Sequence, residues 1–241
     1  MQIRSRSILL FLAIVFVAAA PLTAASTPAV VSAAVLDAQL SASPGTVAVI
    51  DARPTLKEYL SGHIPGAQPL MVENLRSASA GVPATLFPWE TLDLIVHRLG
   101  LVAARPVVVY GGESGIDATY VASVLRLTGI TQVAVLDGGF ERWTAEKRPV
   151  TRERKVIAAS KDTLLHDATA LVGIDEVKAA VEKRSALLLD VRPADQFAAG
   201  HIPGARNRFW AKDVVPAGQP DAGSFRGEAE IRAELEALGA V

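Results

Sequence analysis

The chain has 241 residues, half of them apolar, with 24 basic against 25 acidic side chains and a formal net charge of −1. That balance leaves no basic surplus for nucleic acid or for an anionic membrane surface, and the length suits one or two globular domains. Cysteine is absent, which excludes disulfides and any thiol chemistry by these residues.

Residues 1–25 read as a secretory leader. Arg4 and Arg6 precede an apolar core over residues 8–20, and Thr23-Ala24-Ala25 supplies small residues for cleavage. The core is shorter than a bilayer span requires, so stable membrane insertion is not expected. The expected location is periplasmic or secreted.

A first α/β unit is expected over residues 31–150. Ser32 is placed to cap a helix over 33–40 whose Leu36 and Leu40 face inward. Val47-Ala48-Val49-Ile50 is apolar without alternation, the pattern of a strand buried on both faces, and it runs into Asp51. Pro54 falls in the first turn of a short helix, Gly62 at its left-handed C-cap, and Pro65-Gly66 in the turn back to the sheet. Leu92, Ile95, Val96 and Leu99 share a helix face that Gly100 ends. Val107-Val108-Val109-Tyr110 is the next strand, followed by the loop Gly111-Gly112-Glu113-Ser114-Gly115-Ile116 and a helix over 118–127. Val133-Ala134-Val135-Leu136 is another strand, leading to Asp137-Gly138-Gly139-Phe140 and Trp143.

Residues 151–170 are polar, charged and without clear periodicity, as a linker is. A second unit follows over 171–241. Ile174, Val177 and Val181 share a helix face before the run Ala186-Leu187-Leu188-Leu189, and Ile231, Leu235 and Leu238 share a face of a last helix over 228–238.

One stretch occurs twice. Ile50-Asp51-Ala52-Arg53-Pro54 runs on to Gly62-His63-Ile64-Pro65-Gly66-Ala67, and Leu189-Asp190-Val191-Arg192-Pro193 runs on to Gly200-His201-Ile202-Pro203-Gly204-Ala205. Such self-similarity marks a duplicated unit. The stretch resembles the rhodanese family, and its double use, with Asp137-Gly138-Gly139 and Trp143 in order, resembles the two-domain thiosulfate and 3-mercaptopyruvate sulfurtransferases.

The resemblance implies an α/β fold of tandem rhodanese-like domains, each a parallel sheet of order 1-5-4-2-3 flanked by helices. It implies transfer of sulfane sulfur from thiosulfate or 3-mercaptopyruvate, a small sulfur-containing anion, through a Cys persulfide to a thiophilic acceptor, with no metal or organic cofactor. The family's Cys directly follows the fourth strand, where this chain has Gly111. The loop Gly111 to Ile116 is therefore expected to be a degenerate active-site loop, with Glu113 and Asp117 bringing negative charge to a place that would have to attract an anion.

The interval from His63 to Gly111, counted on from His201, passes Val241. The second unit is thus expected to stop before its own active-site loop, without strands four and five, and to self-associate through the strand edge left open. In active relatives an Arg four positions after the motif Arg contacts the anion; in the second unit that place is Gln196. Asp51 with Arg53, and Asp190 with Arg192, are expected to be ion-paired scaffold. His63 and His201 are expected to bond nearby backbone, because no metal-ligand set surrounds them. Asp137, Gly138 and Gly139 belong to the same structural motif. Two functions remain open: a sulfurtransferase that is inactive as this cysteine-free chain, or a non-catalytic module that binds an anion or a protein.

Overall fold

Apolar runs without alternation become strands covered on both faces. The computed structural model describes residues 14–16, 30–79, 82–219 and 221–240; the expected leader and its cleavage site lie outside them, apart from β1 (Ile14–Phe16). The first unit contains β2 (Val30–Val31), α1 (Ala33–Ala42), β3 (Ala48–Asp51), α2 (Leu56–Ser61), β4 (Gln68–Pro69), β5 (Arg76–Ser79), β6 (Val82–Leu86), α3 (Trp89–Arg98), β7 (Val107–Tyr110), α4 (Ile116–Leu127), β8 (Val133–Leu136) and α5 (Gly139–Ala145). The second contains α6 (Ile174–Lys183), β9 (Leu188–Asp190), α7 (Ala194–Ala199), β10 (Arg206–Asn207) and α8 (Glu228–Ala237).

The first unit's sheet has the order β2-β8-β7-β3-β4 with every neighbour parallel, and β5 and β6 form a separate antiparallel ribbon. Every residue of β3, β7 and β8 is buried. Because successive side chains alternate between faces, Ile50 and Val109 join one core with Leu92, Val121 and Leu125, while Val49 and Val108 join the other with Leu36, Ile64 and Trp143. Each large side chain buried in this way contributes about 1.5–3 kcal/mol.

Two local expectations are corrected. Pro54 does not enter the helix: Thr55 caps α2, its hydroxyl accepting from the Glu58 N–H at 3.2 Å while the Glu58 carboxylate accepts from the Thr55 N–H at 2.9 Å. That reciprocal cap satisfies two N–H groups that a proline start would leave open. Pro193 likewise stands at the cap of α7 rather than within it. Gly62 and Gly200 are not left-handed; both are extended, with φ of 159° and 164°.

The linker expected over 151–170 contains a single 3-10 turn at Ala168–Ala170, yet it does not hang free. It is a strap bonded along the first unit. Thr151 pairs with His63, the Ser160 N–H donates to the His97 carbonyl at 2.9 Å, Asp162 accepts from the Ala103 N–H at 2.7 Å, and the Asp167 N–H donates to the Leu127 carbonyl at 2.9 Å. Gly100 and Gly129 admit it: a Cβ on either would lie 2.3 Å from Ile157 Cγ2 or 2.7 Å from the Leu165 backbone.

In the second unit β10 pairs with one edge of β9 in parallel, and β1 pairs with the other edge antiparallel. Leu188 and Leu189 are buried there, whereas Phe209 and Trp210 are half-buried.

Candidate active-site loop

In open parallel sheets, ligands meet the chain beyond the C-terminal ends of the strands. β7 ends there at Tyr110, and Gly111 follows. Gly112 to Gly115 form a tight turn closed by the Gly115 N–H on the Gly112 carbonyl at 3.0 Å, and Gly115, left-handed at φ 67°, caps α4. Ile116, expected in the loop, is the first residue of that helix, and its N–H donates to the Ser114 hydroxyl at 3.4 Å. A side chain on Gly111 would point at the start of α4, with its Cβ 3.2 Å from the Ala118 nitrogen.

The loop rests on the Asp137-Gly138-Gly139 turn. Gly139 is left-handed at φ 57°, and a Cβ on it would lie 2.7 Å from the Gly111 carbonyl oxygen. Only glycine lets the two loops approach so closely. The Phe140 N–H then donates to that same oxygen at 3.0 Å.

Beneath the loop lies an ion pair. Asp51 is 1% exposed and Arg53 6%. The Arg53 guanidinium bonds both Asp51 oxygens, at 3.0 and 2.6 Å, and donates to the Gly62 carbonyl at 2.7 Å. The Tyr110 hydroxyl donates to Asp51 at 2.6 Å, and burial together with that carboxylate pushes the Tyr110 phenol far up. Phe140 stacks on the guanidinium at 3.8 Å. With its carboxylate bound from three directions, this pair fixes where β3 meets α2.

His63 is fully buried, stacked on Tyr59 at 3.9 Å, and its ring nitrogens lie 2.9 and 3.1 Å from the carbonyls of Tyr59 and Glu153. His201 is exposed, with Nδ1 2.9 Å from the Phe197 carbonyl. Asp190 and Arg192 repeat the ion pair at 2.5 Å. None of these second-unit residues lies in the loop.

The charge around the loop is acidic. Burial, and then Glu113 and Glu58, push the Glu141 carboxyl up, against the pull of Arg53. Burial also raises Asp117, with Glu58 and Glu73 adding to it against Arg76. The adjacent cleft, about 410 Å³, is lined by Arg53, Lys57, Glu58, Gly62, Phe140 and Val150 among others. Lys57 stands four positions after Arg53 and is exposed. The spacing that assigns Gln196 in the second unit would have found it, but sequence reasoning did not apply that spacing to the first.

Sequence reasoning also missed what covers the loop. A segment of the second unit lies on it: the Phe225 N–H donates to the Asp137 carboxylate at 2.8 Å, and Arg142 binds both Asp221, at 3.1 Å, and the Ser224 hydroxyl. Gly223 passes so near that a Cβ on it would lie 2.4 Å from the Glu113 carbonyl oxygen.

Among known proteins, the Rhodanese-like domain family matches residues 32–146 and 173–234. The sulfur carrier protein TtuD of Thermus thermophilus is 30% identical, over 80% of this chain and 72% of its own. The 3-mercaptopyruvate sulfurtransferase of Escherichia coli K12 is 29% identical, over 75% of this chain and 66% of its own length. The match to a putative thiosulfate sulfurtransferase of Synechococcus elongatus spans about half, 53%, of that protein. The crystal structure of the 3-mercaptopyruvate sulfotransferase SseA from Escherichia coli superposes with a TM-score of 0.77 and 26% identity, over 88% of this chain and 84% of that one. The sheet order, the twice-used Asp–Arg motif and the loop between β7 and α4 agree with these likenesses: the chain belongs to the rhodanese family.

Proposed function

We propose that this chain is an exported rhodanese of the two-domain sulfurtransferase type that performs no sulfur transfer by itself. In the reaction of thiosulfate or 3-mercaptopyruvate sulfurtransferases a thiolate takes the sulfane sulfur as a persulfide, and a thiophile such as cyanide or a thiol then removes it. The observation that carries the reading is Gly111 at the β7–α4 junction of a chain without cysteine. The Ser114 hydroxyl is no substitute, since an unassisted hydroxyl is a weak nucleophile. Glu113, Asp117 and Glu141 add negative charge where an anion would enter. Export rests on Arg4 and Arg6, the apolar core and the small residues ending at Ala25.

Purified 241-residue protein is expected to give thiosulfate:cyanide turnover no faster than buffer, and faster turnover would overturn the assignment. N-terminal sequencing of periplasmic protein should begin after Ala25; a mature chain starting at Met1 would remove export from the reading.

A specific contact favours a second reading, a non-catalytic module that binds an anion or a protein: through Asp137 and Arg142 the loop region already holds a peptide segment, residues 221–225. If docking is what the loop does, the Phe225 amide should resist hydrogen exchange and lose that protection in Asp137→Ala. Equal protection in both would remove the docking role.

A further inference from the structure

The second unit repeats the first up to one edge of its sheet. In the first unit β3 lies between β4 and β7, both parallel to it. In the second, β10 takes the place of β4, and β1 stands in the place of β7 but runs antiparallel, with Ile14 opposite Asp190, Val15 opposite Leu189 and Phe16 opposite Leu188. Those three residues come from the apolar core of the expected leader. An open strand edge offers N–H and C=O groups to any extended segment. β9 is buried over all its residues, so baring that edge would leave unpaired backbone beside apolar surface.

We propose that the β9 edge is a strand-acceptor site: the chain's own residues 14–16 fill it, and when they leave it the β9 of a second copy takes their place. The neighbour seen on this edge is antiparallel, which is the direction a two-fold axis imposes on two identical strands. With the axis at Leu189, Leu188 of one copy faces Asp190 of the other, so the two Asp190 carboxylates do not oppose each other. Each is also bound by Arg192 of its own chain, at 2.5 Å. The product is a continuous sheet, β10-β9-β9-β10, that closes at two copies. Cleavage near Ala25 would remove β1, which ties the acceptor to the export reading; the test below leaves residues 1–25 in place and is independent of it.

In the full chain, Val15→Pro removes a ladder donor and disfavours the strand, while Val15→Ile keeps it. The absence of cysteine makes disulfides unambiguous reporters: Val15→Cys with Leu189→Cys reports β1 pairing, and Leu189→Cys added to Val15→Pro reports pairing between copies. Wild type and Val15→Ile are expected to sediment as monomers, and the double-cysteine chain to close its disulfide within one chain. Val15→Pro is expected to sediment as a dimer, linked between copies once Leu189→Cys is added. An open Val15–Leu189 cysteine pair, a monomeric Val15→Pro chain, or open-ended aggregates in place of a dimer would each overturn the proposal.

Discussion

The two copies of the Asp–Arg motif have nearly the same internal geometry in very different surroundings. Arg53 donates to the Gly62 carbonyl at 2.7 Å and Arg192 to that of Gly200 at 2.8 Å; His63 stacks on Tyr59 at 3.9 Å and His201 on Phe197 at 3.8 Å. Yet Arg53 is 6% exposed and Arg192 25%, and His63 is buried where His201 is open. The local motif therefore builds its own hydrogen-bond circuit. What the first unit adds is cover: Tyr110 on Asp51, Phe140 on Arg53, and the strap's Glu153 on His63. Among the described residues, the second unit repeats none of these three contacts.

The sharpest way to break this comparison is to remove the arginines one at a time. Arg53→Ala leaves the Asp51 carboxylate charged and buried, and is expected to destabilise the first unit by about 3–5 kcal/mol in urea unfolding. Arg192→Ala is expected to cost clearly less: Asp190 is itself buried, but Arg192 is 25% exposed, so its removal opens the carboxylate to water as removal of Arg53 does not. Equal losses would mean that the cover contributes nothing.

Limited proteolysis sharpens it next. With the strap bonded as far as Asp167, the protected fragment should end beyond that residue, later than a free linker over 151–170 would give. A first cut between residues 148 and 161 would mean that the strap detaches in solution.

A smaller effect is expected from the paired glycines. A Cβ at Gly62 would meet Val150 Cγ1 at 2.9 Å, whereas one at Gly200 meets nothing within 4 Å. Gly62→Ala is expected to cost about 1–3 kcal/mol through overpacking, and Gly200→Ala to stay within roughly 0.5 kcal/mol of wild type. Thermal unfolding of the two variants compares them directly.

The subtlest difference lies in pH. Hydrogen bonds from Arg192 hold Asp190 below the usual carboxylate range. Its contribution is therefore present above the unfolded-state value and lost as pH falls through the lower folded value. Burial holds Glu141 and Asp117 above their ordinary values. Ionised, they oppose folding, so the first unit gains stability as pH falls from neutral through their raised values. Hydrogen exchange across mildly to strongly acidic pH should show β7 protection rising at first while β9 protection falls later. Parallel loss in both strands would refute the sign for Glu141 and Asp117.

Much of this was legible in the residues. The unbroken apolar runs became β3, β7, β8 and β9, and the repeated motif pointed to the parallel fold and its order. The chain after Val107-Val108-Val109-Tyr110 turns through Gly111 to Gly115 into α4, a strand–turn–helix junction that the glycines signalled. The strap was not legible, because its anchors are backbone carbonyls and amides that leave no periodic trace; Gly100 and Gly129, which let it pass, read only as helix stops. The segment over the loop escaped for a related reason, since Asp137, Arg142 and Asp221 are ordinary surface charges until the chain brings them together. β1 escaped because a leader's apolar core and a short strand are alike in composition. Thr55 was overlooked beside the more conspicuous Pro54.

The strap has one more consequence, for the strength of the contacts on the loop. Between Asp167, tied to Leu127, and Ile174, where α6 begins, little chain is left to wander. Residues 221–225 are thereby presented to Asp137 and Arg142 as by a short tether, for which local concentrations are about millimolar. Contacts too weak to hold two separate molecules together can then remain closed, and their occupancy will not change when the protein is diluted.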